Sequence, residues 1–455
     1  MPASNPQPRS SHSMGVKLIV VCGLAGVMTV PMLFVDGLVE DRTRRAADVV
    51  REISGYSGGQ QTFLGPTLAI PYAPNSSRGG MYLVFPAQAS AVLKTVTEQR
   101  HRSLFKVPVF QADAAFAADF DLSGVPAVKV PGADLDWNRA QIVVGVSDTR
   151  GAIADAAITA DGKASTLLPI DVGTDIKVGG DQNAPLKLAY LGTPVDAKPD
   201  GRLNVTASLR FSGAQHIAVL SYGKTTRLSA QGDWPSPSFD GAFLPIRRSV
   251  TRNGFSAEWF VPFIARAVRA EGPGESFSTL QATALGISFI ELADPYQSVS
   301  RSIKYVLLFL GLVFLSYFVF ETTAGKRVHP AQYVLVGIAQ IIFYLLLLSL
   351  AERIGFDWGF LLAGGATVLL LSLNAGWVFS SRLQGVRAFA TFSLLYVMIY
   401  LLLRMEDNAL LVGAVASFLA IAAAMYLTRR IDWYNPLGAQ GAQQPRTPID
   451  SLSSL

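Results

Sequence analysis

The sequence predicts a multi-pass membrane protein that carries one large β-rich domain between its first and second spans. Two observations carry that fold class. Uncharged apolar runs lie at residues 18–35, 305–320, 333–350, 358–379, 388–403 and 409–427. Each has, or falls just short of, the roughly 20 residues a helix needs to cross a hydrocarbon core about 30 Å thick. The long stretch between the first and second runs has a different texture, with short β-branched segments broken by Gly, Pro, Asn and Asp. Composition agrees. Charged residues are 16% of the chain and hydrophobic ones 50%, against about 25% charged in soluble domains. The net charge of +5 is not gathered on a periodic face, so nucleic acid is not an expected partner. The bilayer is.

The elements follow in order as a cytoplasmic tail (1–17), a signal-anchor helix (18–38), a periplasmic β-rich domain (39–300), a five-helix transmembrane bundle (301–434) and a disordered cytoplasmic tail (435–455). Orientation comes from Lys and Arg, which are retained on the cytoplasmic side of membrane helices. With the N-terminus inside, the inner segments hold Arg9, Lys17, Lys326, Arg327, Arg382, Arg387, Arg429 and Arg430. The short outer loops hold Arg353 beside Glu352, and Arg404 beside Glu406 and Asp407. Six spans with both ends inside place the large domain outside the cytoplasmic membrane.

The first run ends in Pro31-Met32-Leu33-Phe34-Val35-Asp36, without the small residues of a cleavage site. It reads as an uncleaved anchor. The sole cysteine, Cys22, follows Val20 and Val21, which does not fit a lipoprotein signal. One cysteine allows no intrachain disulfide, so an apolar core must hold the outer domain. Beyond the anchor, charges interleaved with Val49, Val50 and Ile53 predict that the helix continues to residue 53 as a stalk. Strands are expected at 67–72, 81–85, 105–110, 141–146, 203–211, 217–220, 225–231 and 255–260, and a helix at 87–98. Period-two alternation is clearest from Leu203 to Phe211, which buries one face. One sandwich or two smaller ones would both fit.

Candidate chemistry is sparse. The histidines are His12, His101, His216 and His329. The first and last fall on the cytoplasmic side, and no two have zinc-site spacing, so no metal or other cofactor is expected. Ser221-Tyr222-Gly223-Lys224 matches the Ser-x-x-Lys pattern of penicillin-recognising enzymes. There the pattern opens a helix, whereas here it joins two β runs, and the companion motifs are missing. Trp234-Pro-Ser-Pro-Ser-Phe239, continuing to Phe243 and Pro245, is either a crossover loop pinned by its aromatics or a recognition loop built on Trp234, Phe239 and Phe243. Polar groups in or beside the apolar runs are the better functional candidates: Glu321, Gln340, Glu352, Arg353, Asn374, Arg404, Glu406 and Asp407. Gln340 and Asn374 suit interhelical hydrogen bonding.

Several strings together resemble the CreD inner-membrane proteins. They are Gln61-Thr-Phe-Leu-Gly-Pro-Thr-Leu-Ala-Ile-Pro-Tyr72, Phe105-Lys-Val-Pro-Val-Phe110, Ser147-Asp-Thr-Arg-Gly151, Trp234 to Pro245, Asn253-Gly-Phe-Ser-Ala-Glu-Trp259, Arg301-Ser-Ile-Lys-Tyr305, His329-Pro-Ala-Gln-Tyr333, Leu403-Arg-Met-Glu-Asp407 and Thr428-Arg-Arg-Ile-Asp-Trp-Tyr434. The resemblance runs in order from the anchor to Tyr434. It implies a Gram-negative inner-membrane protein of envelope integrity and stress response, tied to β-lactam responses and colicin tolerance. It implies no catalytic residue.

The expected function is therefore binding without chemistry, with an envelope protein, peptidoglycan or a lipid as ligand. Two rivals remain from the residues. One is a membrane-surface enzyme acting on lipid or peptidoglycan precursors, with Glu291, Asp294, Glu406 and Asp407 gathered near the bilayer. The other is a transporter or lipid handler with a polar cavity lined by Gln340, Asn374 and Glu321.

Overall fold

The computed structural model describes residues 14–72, 80–102, 105–125, 134–171, 187–277, 279–289, 295–324, 326, 328–404 and 409–429. The chain divides into a helical unit (Met1–Arg45 with Ala293–Leu455) and a β unit (Ala46–Leu292). Helix α1, Met14–Tyr56, runs through the boundary without a break.

In the helical unit, α1 is joined by α3 (Pro295–Lys304), α4 (Val306–Ala324), α5 (Pro330–Ile354), α6 (Phe356–Val378), α7 (Arg382–Arg404) and α8 (Ala409–Thr428). Helices α1, α4, α5, α6 and α7 are long and apolar enough to cross a membrane, and α8 is an apolar helix of 20 residues. Their outward residues, such as Leu361, Leu369, Leu394 and Val397, are exposed, as lipid-facing side chains are.

The β unit is one sandwich with a continuous core. Its first sheet has nine strands: β1 (Gln61–Tyr72), β2 (Gly80–Val84), β5 (Gln141–Val146), β8 (Leu168–Ile170), β9 (Ala189–Pro194), β11 (His216–Leu220), β13 (Pro237–Gly241), β16 (Glu271–Pro273) and β17 (Ala284–Phe289). The second has eight, in the order β14-β15-β12-β3-β4-β10-β6-β7. These are β3 (Gln88–Arg102), β4 (Phe105–Asp121), β6 (Ala157–Ala160), β7 (Lys163–Thr166), β10 (Arg202–Ala214), β12 (Thr225–Gly232), β14 (Arg247–Thr251) and β15 (Gly254–Val261). A short helix, α2 (Phe263–Arg266), follows β15.

Each long strand of the second sheet alternates inward and outward. Leu203, Val205, Ala207, Leu209 and Phe211 of β10 are buried, as are Ala112, Ala114, Phe116, Ala118 and Phe120 of β4. Tyr222, just past β11 in the first sheet, crosses the core. Its hydroxyl lies 2.7 Å from the Ser90 carbonyl and 3.0 Å from that of Ala117, both in the second sheet. Gly65 makes room for that ring, because a Cβ there would sit 2.6 Å from it.

The helix expected at 87–98 is a strand. The alanines and Glu98 give the segment helical propensity, yet Ala89, Ala91, Leu93 and Thr95 alternate into the core. Ladders to β4 and β12 on either side outweigh a propensity difference of at most a few tenths of a kcal/mol per residue. The stalk expected to residue 53 is the last third of α1. There Val50 and Ile53 pack on Val107, Val109 and Ala214, and Glu52 pairs with Arg102.

Candidate functional site

Helix α1 joins the bundle through a seam of regular spacing. Val21, Ala25, Met28, Met32, Val35 and Val39 are all buried, at alternating steps of four and three that place them on one stripe. Gly337 of α5 lets Met28 approach, since a Cβ there would fall 2.7 Å from its Cγ. An ion pair closes the stripe at each end. One step before Val21, the Lys17 ammonium bonds the Glu321 carboxylate of α4. One step beyond Val39, Arg42 lies 3.8 Å from Glu352.

The Lys17–Glu321 end is the most developed polar cluster of the helical unit. Glu321 is fully buried. Its Oε1 also accepts from the Val328 N–H at 2.8 Å, and its Oε2 from the Tyr333 hydroxyl at 2.9 Å. Lys17 Nζ donates in turn to the Val328 carbonyl at 2.7 Å. The carboxylate thus has three donors, one of them the balancing cation, which makes it a clamp rather than a free acid. Lys17 was visible in the sequence only as an inside charge. That topology placed it on the same side as the end of α4, which was the available signal for the pair.

Gln340 and Asn374 are interhelical bonds. The Tyr396 hydroxyl of α7 donates to Gln340 Oε1 at 3.2 Å, and Asn374 Nδ2 of α6 donates to the Tyr317 hydroxyl of α4 at 2.6 Å. Glu321, Gln340 and Asn374 each bond different neighbours instead of converging. Arg353 is exposed. Arg404 pairs with Asp357, whose other oxygen accepts from the Tyr400 hydroxyl at 3.0 Å. Sequence reasoning missed Asp357, which opens the helix facing α7. Glu291, Asp294, Glu406 and Asp407 lie outside the described residues.

In the β unit the Trp234–Pro245 segment turns its rings inward. Trp234 packs edge-on to Phe289, and Phe239 packs on Phe255 and Trp259. The Trp259 indole N–H donates to the Phe243 carbonyl at 3.0 Å. Ser221 is buried, and its hydroxyl bonds that of Thr226 at 3.0 Å. His216 and His101 stand on different sheets. Asp240 of β13 lies 3.0 Å from His216 Nε2 and accepts from the Ser288 hydroxyl at 2.5 Å. Gly286 allows this contact, because a Cβ there would meet Asp240 at 2.0 Å. The carboxylate is in the middle, so it takes the serine proton and the imidazole does not reach the serine. The trio ties an edge strand to its sheet and does not activate a nucleophile.

Gln61 and the Ser147–Gly151 turn, far apart in sequence, meet at the start of β1. Gln61 Nε2 donates to the carbonyls of Gly58 and Asp148 at 2.7 and 3.1 Å, and Ser147 accepts from the Thr62 N–H at 2.9 Å. The Arg150 guanidinium bonded to Asp148 holds that carboxyl below its ordinary value, outweighing a partial burial that acts the other way. A depressed value stabilises the fold above the unfolded pKa of about 3.9 and is lost as pH falls through the folded one. Asp148→Asn should therefore destabilise the β unit at neutral pH. The difference from wild type should shrink below about pH 4. Denaturant midpoints across pH would check this, and a difference independent of pH would contradict it.

A family model for CreD, described as inner membrane protein CreD, matches residues 13–434. The chain belongs to the CreD family. The curated inner membrane protein CreD of Escherichia coli (strain K12) is 29% identical over 439 residues, covering 92% of this chain and 93% of that one. With its apolar helices, this CreD-family chain is a multi-pass inner-membrane protein of the envelope. Among solved structures, a two-domain M1 zinc metallopeptidase bound to L-arginine is 9% identical, with a TM-score of 0.20 over 45% of this chain and 42% of that one. An M1 zinc metallopeptidase from Deinococcus radiodurans is 9% identical, with a TM-score of 0.19 over 78% and 94%. Likenesses this weak carry no argument about fold or activity.

Proposed function

We propose that this chain maintains the envelope by recognition rather than catalysis. The β unit lies on the periplasmic side with both termini cytoplasmic, and it binds an envelope protein, peptidoglycan or lipid. The helical unit anchors it. The observation that carries the reading is the internal pairing of the polar side chains best suited to chemistry: Glu321 is met by three donors, Ser221 by Thr226, and Asp240 by His216 and Ser288. Groups spent on such bonds position structure and are not poised to react.

Deletion of the gene in its host should alter envelope permeability, β-lactam response or colicin sensitivity, and the full chain supplied in trans should restore it. Unchanged phenotypes in all three would end the proposal. Alkaline phosphatase fused within the turn at Asp161 should be active, and a cytoplasmic readout there would reverse the orientation.

A further inference from the structure

Arg266 is a buried cation with no anion beside it among the described residues. It is 2% exposed, and its Nε and Nη2 have no hydrogen-bond partner. On the far side of the group, Nη1 reaches the Arg269 carbonyl at 3.5 Å, the limit of bonding distance. The guanidinium lies 4.3 Å over the Phe85 ring, which meets Phe277 edge-on at 4.9 Å. Burial pushes its pKa down to about 10, so it stays charged at neutral pH.

Taking an unpaired charge out of water costs more than a desolvated cation–π contact returns. The deficit has a definite shape. Nε and Nη2 are the two parallel N–H donors with which arginine binds an oxyanion side-on, and they are the two left without partners. The same four-residue turn carries an independent signal. It exposes Phe263 at 47% and Ile264 at 90%, while burying the guanidinium two residues on. Helix α2 has no side-chain cap, so loosening it to admit a ligand breaks no such bond. An oxyanion seat under an exposed apolar turn matches an amphiphile.

We propose that Arg266 seats the phosphate of a phospholipid, with Phe263 and Ile264 against the lipid's apolar part. This rests on reading the β unit as a recognition module. Its readout is lipid retention, which does not pass through the envelope phenotypes that test that reading.

The test uses the full chain, delipidated in detergent, with phosphatidylglycerol, diacylglycerol or inorganic phosphate added. Native mass spectrometry and thermal melting are read on wild type, R266Q and R266M. Lipids around the spans are common to all three. Wild type should retain one more phosphatidylglycerol than either variant, with affinity at that site at least about tenfold higher, and diacylglycerol should not fill it. R266M removes an uncompensated charge, so its lipid-free melting temperature should equal or exceed wild type while the lipid-dependent rise disappears. A mere packing role would lower the first and leave no lipid-dependent rise to lose. Equal phosphatidylglycerol retention in all three proteins would overturn the proposal. So would a full effect from inorganic phosphate to which the lipid adds nothing.

Discussion

Replacing Lys17 with methionine, or Glu321 with glutamine, is expected to destabilise the helical unit by about 3–5 kcal/mol, and replacing both with apolar residues to recover much of that loss. Glu321 is fully buried and Lys17 largely so. Removing the lysine strands a carboxylate in a low-dielectric site with two neutral donors left, from Val328 and Tyr333. Removing the charge of Glu321 strands the ammonium with the Val328 carbonyl. The double variant leaves neither charge unpaired, which makes the non-additivity diagnostic. Unfolding in bicelles measures all three proteins. Single variants costing less than about 1 kcal/mol would place the pair with exposed ion pairs of little consequence.

Trp259→Ala should cost the β unit about 3–5 kcal/mol, as large-to-small changes of buried aromatics do. The ring is 2% exposed, packs on Phe239 at 5.7 Å and holds the Phe243 carbonyl. Trp259→Phe keeps much of the ring and loses the bond, for which about 1 kcal/mol is expected. Loss of the indole frees the crossover segment, so cleavage by a limiting protease near exposed Leu244 and Ile246 should accelerate in the alanine variant. An unchanged rate and midpoint would mean that the aromatics of Trp234 to Pro245 are not held by the core, and would revive their reading as a recognition surface.

Some of the fold was legible from the sequence because its signals are local. A run of apolar residues long enough for hydrocarbon needs no neighbour to be recognised, and neither does the alternation from Leu203 to Phe211. Segment 87–98 shows the limit. Its inward residues Ala89, Ala91, Leu93 and Thr95 include two small alanines and a polar threonine, so their contrast with the outward serine, valine and lysine is weak and the composition favours a helix until the flanking strands are present. β4 was read only to residue 110 because Ala112, Ala114 and Ala118 give a similarly faint alternation. The polar candidates divide the same way. Glu321, Gln340 and Asn374 stood out because polar groups at membrane depth are conspicuous, but their partners Lys17, Tyr396 and Tyr317 did not, since a pairing is a fact about two helices. Arg266 was not singled out at all. An arginine beside apolar residues is ordinary in sequence, and only burial without an anion makes it unusual.

The sequence by itself determined that this is a multi-pass inner-membrane protein, the β character of the intervening domain and the family, because hydropathy, periodicity and motif order are properties of a single strand of residues. Tertiary structure alone decided that the domain is one two-sheet sandwich, that α1 is clamped at Lys17 and Arg42, and that Arg266 has no counter-charge among the described residues. Those facts depend on which groups far apart along the chain share a low-dielectric space, and no local pattern encodes that distance.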